Sequence, residues 1–210
     1  MTTPKLKLTY FDFHGGRGEV ARLAMSVGGV AFEDERVKAA DWPARKASTP
    51  FGGLPVLEVD GQEVAQGNGI NRFVGKLAKL YPDDPLQAAF CDEAMDAVED
   101  IGSQIGATLF IADNEEKKQK RKALADGPIP FYLRALASRL AQRGGVWFAD
   151  GRLTVADLKV FLWIRHVKSG MLDHIPTDLP DQVAPSLVEH FERVRNHPAV
   201  KAYYAARGVG

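Results

Sequence analysis

A small α/β unit over residues 1–81 followed by an all-helical unit over residues 86–210 is the fold class this sequence predicts. Strand-type alternation and helix-type periodicity interleave before Pro85, no convincing strand pattern follows it, and Tyr81-Pro82-Asp83-Asp84-Pro85 is a stiff linker between the two. Residues 5–11 alternate and carry β-branched and aromatic side chains, the mark of a strand. Residues 17–28 set Val20, Leu23 and Val27 at helical spacing until Gly28-Gly29 stops them. Residues 32–37 read as a second strand, and Asp41-Trp42-Pro43 as a helix start with Asp41 as its N-cap. Residues 54–59, the turn Asp60-Gly61 and residues 62–65 form a hairpin of type I′, and residues 67–80 close the unit as a helix. This order is too short for a doubly wound sheet and fits a mixed sheet of four strands. Beyond the linker, Phe90, Ala94, Val98, Ile101, Ile105 and Leu109 recur every three or four residues and predict one long helix. Further helices are predicted near 129–143, 154–169, 183–196 and 198–206, the second opened by Thr154 and Asp157 as a capping box.

Composition narrows the function. With 27 basic and 27 acidic side chains in 210 residues, no global positive field draws nucleic acid or an anionic membrane surface. Residues 1–7 are polar and no apolar run reaches bilayer-spanning length, so neither a signal peptide nor a membrane span is expected. A single Cys91 makes no internal disulfide, and His14, His166, His174, His190 and His197 include no i,i+4 pair of the zinc-helix kind, so no metal is expected.

Several motifs carry two readings. Gly16-x-Gly18-x-x-Ala21 lies between a strand and a helix, where a dinucleotide fingerprint sets glycines against a pyrophosphate. A Rossmann fold needs a second mononucleotide half, which the helical half denies, so a tight turn is the preferred reading. Lys117-Lys118-Gln119-Lys120-Arg121-Lys122 follows Glu115-Glu116 without interleaved aromatics and reads as a solvated helix face. Cys91 reads as an ordinary thiol rather than a nucleophile. Pro55 is either a cis proline that turns the Leu54 backbone toward a ligand's main chain or an edge-strand proline. Gln66-Gly67-Asn68 opens a helix whose free N–H groups suit a carboxylate, and Trp42 with Lys46 shares a face that could hold a second one. The plainer reading of that pair is a partly buried tryptophan beside a surface lysine.

Leu8-Thr9-Tyr10-Phe11, Arg17-Gly18-Glu19 with Arg22, Asp41-Trp42-Pro43 with Lys46, the run from Pro50 to Gly61, Ala65-Gln66, Glu99-Asp100 and Leu153-Thr154-Val155-Ala156-Asp157-Leu158 together resemble the cytosolic glutathione S-transferases, in particular their sigma class. The resemblance spans residues 6–206. It implies a thioredoxin-like N-terminal domain, an all-helical C-terminal domain, and a cytoplasmic homodimer with an active site in each interdomain cleft. That site takes glutathione as co-substrate and a hydrophobic electrophile, without a metal. Tyr10 would donate its hydroxyl hydrogen bond to the glutathione sulfur, with Arg17 supporting the thiolate. A free thiol titrates near roughly 8.5, so a modest downward shift populates the nucleophile at neutral pH. Trp42 and Lys46 would hold the glycine carboxylate, Leu54 before a cis Pro55 would pair with the cysteinyl backbone, and Gly53 would also contribute to glutathione binding. Gln66, Gly67 and Asn68 would bind the γ-glutamyl end, with Asp100 of a second copy reaching its amino group. Phe11, Phe13, His14, Ile105 and Thr108 would line the electrophile site, beside a helix wall kept low by Gly102, Gly106 and Ala107. Thr154 and Asp157 match the family's folding cap.

Three positions depart from that pattern. Gly67 stands where a serine hydroxyl and N–H both bind the γ-glutamyl carboxylate, and losing one charged hydrogen bond of about 1.5–3 kcal/mol predicts weaker glutathione affinity. The Tyr10 to Arg17 spacing is one residue longer, which sets His14 and Gly15-Gly16 beside the thiol. Gly53 stands where a lysine is often found. The leading reading is conjugation of the thiolate to hydrophobic electrophiles, with peroxide reduction as a side activity. One alternative is a prostaglandin-type isomerase, although Ala107 lies near where prostaglandin D synthases carry a bulky aromatic. The other is a non-catalytic ligand-binding or structural relative, opposed by the retained Tyr10, Trp42, Lys46 and Gln66.

Overall fold

The structure, a computed structural model, describes residues 4–208; residues 1–3 of the polar start and residues 209–210 lie outside it. The chain divides into two compact units, one running to Tyr81 and including the segment from Pro198 onward, the other spanning Pro82–His197. The terminal helix therefore groups with the sheet, whereas the sequence assigned it to the helical half.

In the first unit β1 (Leu6–Phe11), β2 (Glu33–Val37), β3 (Val56–Val59) and β4 (Gln62–Ala65) form one mixed sheet in the order β2-β1-β3-β4. β1 runs parallel to β2 and antiparallel to β3, which pairs antiparallel with β4. The period of two buries Leu6, Leu8 and Tyr10 on one face of β1. The crossover α1 (Gly16–Val27) buries Val20, Ala21, Leu23, Ala24 and Met25, and packs on α3 (Gly67–Leu77) and on α10 (Pro198–Ala205). A Cβ at Gly28 would stand 2.4 Å from that of Ala78, so glycine lets the ends of α1 and α3 meet. Asp60 and Gly61 have φ of 49° and 84°, both positive as a type I′ turn requires.

Some boundaries differ from expectation, among them β3, which starts at Val56 rather than residue 54. Asp41 stands at the N-cap position of α2 (Trp42–Arg45) as expected, but it belongs to a 3₁₀ turn (Ala39–Asp41) and its side chain makes no cap bond. α3 stops at Leu77 rather than residue 80, because Lys79 turns left-handed and Leu80 N–H closes onto the Gly75 carbonyl.

The second unit holds α4 (Pro85–Gly106), α5 (Asn114–Asp126), α6 (Pro128–Gln142), α7 (Val155–Lys168), α8 (Leu179–Val183) and α9 (Pro185–Arg195). Asp84 caps α4 by accepting from Gln87 N–H at 2.9 Å, and Pro85 takes the first turn. Cys91, Ala94, Val98, Ile101 and Ile105 form the buried stripe of α4, but the helix ends before Leu109, which is exposed. Burial pushes the Cys91 thiol up to about 12, so it stays protonated and inert. The basic run lies on α5, where Lys118, Lys120 and Lys122 pair with Glu115, Glu116 and Asp126 in solvent. Arg121 departs from that reading. It is buried, with Nε donating to Thr108 Oγ1 at 3.0 Å and Nη1 to the Asp173 carbonyl at 3.1 Å.

α7 packs against α4 and α9 and is buried almost throughout. Its capping box is a hub. Asp157 Oδ2 accepts from Thr154 N–H at 2.8 Å and Thr154 Oγ1 at 2.7 Å. Asp157 Oδ1 accepts from Phe148 N–H at 3.0 Å and stands 2.9 Å from His190 Nε2.

Candidate active site

Tyr10 ends β1 on its buried face, with 5% of its surface exposed. Its ring lies against the first turn of α1, where a Cβ at Gly18 would come within 2.2 Å of Tyr10 Cγ and one at Gly16 within 2.4 Å of the hydroxyl. The Gly16-x-Gly18 pair is thus explained by a phenol that needs the room, and only Gly16, at φ +68°, also relieves the turn. The hydroxyl oxygen accepts from Arg17 N–H at 3.0 Å. That bond uses a lone pair and leaves the hydroxyl hydrogen to be donated. Burial raises the Tyr10 pKa above the ordinary phenol value, against the opposing pull of the Arg17 and Gly18 N–H groups and the charges of Arg17 and Arg22. At neutral pH the group is a protonated donor.

A buried charged cluster fastens the β1–α1 loop. Arg22, with no exposed surface, donates from Nη2 to the Phe11 carbonyl at 3.2 Å, from Nη1 to the Phe13 carbonyl at 3.1 Å and from Nε to Asp34 at 2.8 Å. Its guanidinium also stands 5.4 Å from the centroid of the Tyr10 ring. Glu19 lies 3.5 Å from Arg22, accepts from the Tyr203 hydroxyl of α10 at 2.9 Å and stands 3.6 Å from His14 Nδ1. The sequence showed no role for Glu19, Arg22 or Tyr203; the available signal was two opposite charges three apart on an otherwise apolar helix face.

Phe11, Phe13 and Trp42 extend the aromatic surface around Tyr10. The Tyr10 centroid is 5.5 Å from Phe11 and 5.7 Å from Phe13, and Trp42 meets Phe11 edge-on at 5.3 Å. Trp42 is half-buried, while Lys46 is exposed, its stem beside Gly52. The Leu54–Pro55 peptide is cis. Pro55 precedes β3, which lies between β1 and β4, so the edge-strand reading is set aside. Gly53 is exposed, and a Cβ there would stand 4.0 Å from the Phe51 carbonyl oxygen. Gln66, exposed and left-handed at φ 72°, precedes α3, whose first turn contains Gly67 and Asn68. A Cβ at Gly67 would stand 3.8 Å from that of Arg17, so Arg17 borders this helix start as well as supplying the N–H on Tyr10. The longer loop thus leaves Arg17 next to both groups.

In the second unit Asp100 is exposed on α4, and Gly102 and Gly106 face open space. Ile105 and Thr108, named from the sequence for the electrophile site, are both buried. Each is 3% exposed, and the Thr108 hydroxyl donates to the Ile105 carbonyl at 2.7 Å while accepting from Arg121. Ile105 lies in the last turn of α4 and Thr108 just beyond it. Among the described residues no group of three or more His, Cys, Asp or Glu could hold a metal, and no helix is long and apolar enough to cross a membrane.

A mixed four-stranded sheet bearing a cis proline and a buried, protonated tyrosine, with an all-helical unit after it, defines a thioredoxin-like transferase architecture. The family described as "Glutathione S-transferase, C-terminal domain" matches residues 99–207. The chain is 35% identical over 207 residues to glutathione S-transferase 1 of Ascaris suum, and 33% identical over 207 residues to hematopoietic prostaglandin D synthase of Gallus gallus, covering 97% of each chain in both comparisons. Among solved structures, prostaglandin synthase D of Nilaparvata lugens gives a TM-score of 0.87 at 31% identity, covering 99% of this chain and 100% of that one. The sigma class transferase of Fasciola hepatica gives 0.83 at 26% identity, covering 98% and 97%. The chain belongs to the glutathione S-transferase family and is a glutathione transferase.

Proposed function

We propose that this chain is a sigma-class, cytoplasmic transferase that binds glutathione on residues 1–81 and delivers its thiolate to hydrophobic electrophiles. The observation that carries the proposal is the Tyr10 hydroxyl, which accepts from Arg17 N–H and retains its own hydrogen. A sulfur placed before it gains a hydrogen bond that is stronger for thiolate than for thiol, so its pKa falls. The Arg17 N–H polarises the hydroxyl and makes it the better donor. Tyr10 keeps its proton throughout, and the thiol proton leaves to solvent. The C–S bond then forms as the sulfur lone pair attacks, and the displaced electron pair leaves with the departing group or settles on the acceptor, which water protonates.

Trp42 and Lys46 hold the glycine carboxylate, and the Leu54 backbone before cis Pro55, with Gly53, pairs with the cysteinyl residue. Gln66 and the N–H groups of Gly67 and Asn68 bind the γ-glutamyl carboxylate, and Arg17 beside Gly67 adds positive charge there. Phe11, Phe13 and His14 meet the electrophile. Glutathione binding is completed in a homodimer by Asp100 of a second copy. A largely exposed Phe51 in the first unit and an apolar hollow of about 170 Å³ between α4 and α6 support that association.

Calorimetry with glutathione, followed by conjugation assays with an activated aryl halide, tests this reading. Saturable binding and turnover that falls at least tenfold in Tyr10→Phe are expected; binding without turnover makes the chain a carrier. The prostaglandin D synthases among the similar proteins favour isomerisation as the second reading. A prostaglandin endoperoxide converted faster than the aryl halide would establish it, and a hydroperoxide arm reads the side activity.

A further inference from the structure

α2 and its flanking 3₁₀ turns, Ala39–Asp41 and Lys46–Ser48, bury no residue, and none of the three is capped by a side chain. Beneath them lies a hollow of about 130 Å³, lined in part by Thr9, Glu35, Trp42, Arg45 and Leu54. A segment that carries Trp42 and Lys46 is therefore placed with almost no core of its own. Among the described residues, side-chain contacts at two positions tie it to the sheet. One is Trp42 on Phe11. The other is Arg45, whose Nη2 donates to Glu35 Oε1 at 2.5 Å. Glu35 is itself fixed, because it sits in register opposite Thr9 and its Oε2 accepts from Thr9 Oγ1 at 2.7 Å.

We propose that Glu35 is a positioning residue for the glycine end of glutathione, acting through Arg45 to set where Trp42 and Lys46 stand. The proposal rests on the transferase reading above. Thr9 and Arg45, with Lys7 further off, hold the Glu35 carboxyl below its ordinary range, so the tether is charged at neutral pH. An ion pair this exposed adds little to global stability, but a segment without a core opens locally on its own. Displacing a binding group by a fraction of an ångström weakens the ligand without touching the reacting atoms.

The test compares wild type with Glu35→Ala, Arg45→Ala, the double variant and Arg45→Lys. Glutathione Kd is read by calorimetry, kcat and KM by conjugation, and folding by thermal melting. Each single alanine variant is expected to raise Kd and KM for glutathione about three- to tenfold, with kcat and melting unchanged. The double variant is expected to be no worse than either single one, and Arg45→Lys to recover part of the affinity. Unchanged affinity in Glu35→Ala, a fall confined to kcat, or a double variant equal to the product of the singles would overturn the tether alone. Failure of wild type to bind glutathione would overturn the transferase reading together with it.

Discussion

The β1–α1 junction and the α2 segment, which the proposed function assigns to one ligand, lie in the same unit yet are held by opposite means. At the junction, Tyr10 is buried against two glycines and the loop's carbonyls are gripped by Arg22. The α2 segment buries nothing and is tied to the sheet by one ring contact and one ion pair. The difference teaches where precision is needed. A hydrogen bond to a developing thiolate depends on tenths of an ångström, whereas a carboxylate held by an exposed lysine tolerates a looser frame. Damage at the junction should therefore reach folding and kcat, and damage at α2 should reach KM.

Asp157→Ala, remote from both stretches in sequence, should produce the largest stability loss. It strips the acceptor from Thr154, Phe148 and His190, all buried, for a loss of about 3–5 kcal/mol in chemical denaturation. Where the variant remains folded, its thiolate pKa should match wild type, which sets the control for a purely structural defect. Gly18→Ala should come next. A methyl at 2.2 Å from a ring closed in by the core costs about 1–3 kcal/mol by overpacking and moves the hydroxyl, so activity should fall below detection even where the fold survives. Tyr10→Phe should lower kcat/KM about 10- to 100-fold, the worth of one hydrogen bond to a charged group, with glutathione Kd nearly unchanged. Lys46→Met should do the reverse, raising glutathione KM about threefold to tenfold at constant kcat. A Lys46→Met variant that lost kcat instead would break the contrast.

The smallest effects are those of pH. Glu35 has a folded pKa below its unfolded one, so its contribution is complete above the unfolded carboxylate value and is lost as pH falls through the folded one. Glutathione affinity corrected by the Glu35→Ala variant should therefore be flat at neutral pH and decline only in acid. Tyr10 and Tyr203 shift the other way. Their stability is complete below the unfolded phenol value and is lost as pH rises through their higher folded values, which alkaline unfolding of Tyr10→Phe and Tyr203→Phe should reveal.

Periodicity and turn chemistry made much of the fold legible. Alternation found the strands, Asp60-Gly61 found the hairpin, and Thr154 with Asp157 found the start of α7. What they missed depends on contacts between distant residues. Gly16 and Gly18 resemble a phosphate loop until Tyr10 is seen lying across them. Glu35 and Arg45 are ten apart in sequence and belong to a strand and a helix, so no single-element pattern joins them. Arg121 hides in a run of solvated lysines because charge patterns do not show which member turns inward. The family resemblance proposed residues for a glutathione site without showing how differently the two stretches that carry them are secured.

The central claim is that Tyr10 is a fixed, protonated donor to the thiolate. An ultraviolet difference titration of bound glutathione in wild type and Tyr10→Phe tests it most directly. A thiolate band in wild type that titrates well below the free thiol value of about 8.5, and moves back toward that value in the variant, is the predicted result. A bound thiol with the same pKa in both proteins would contradict it.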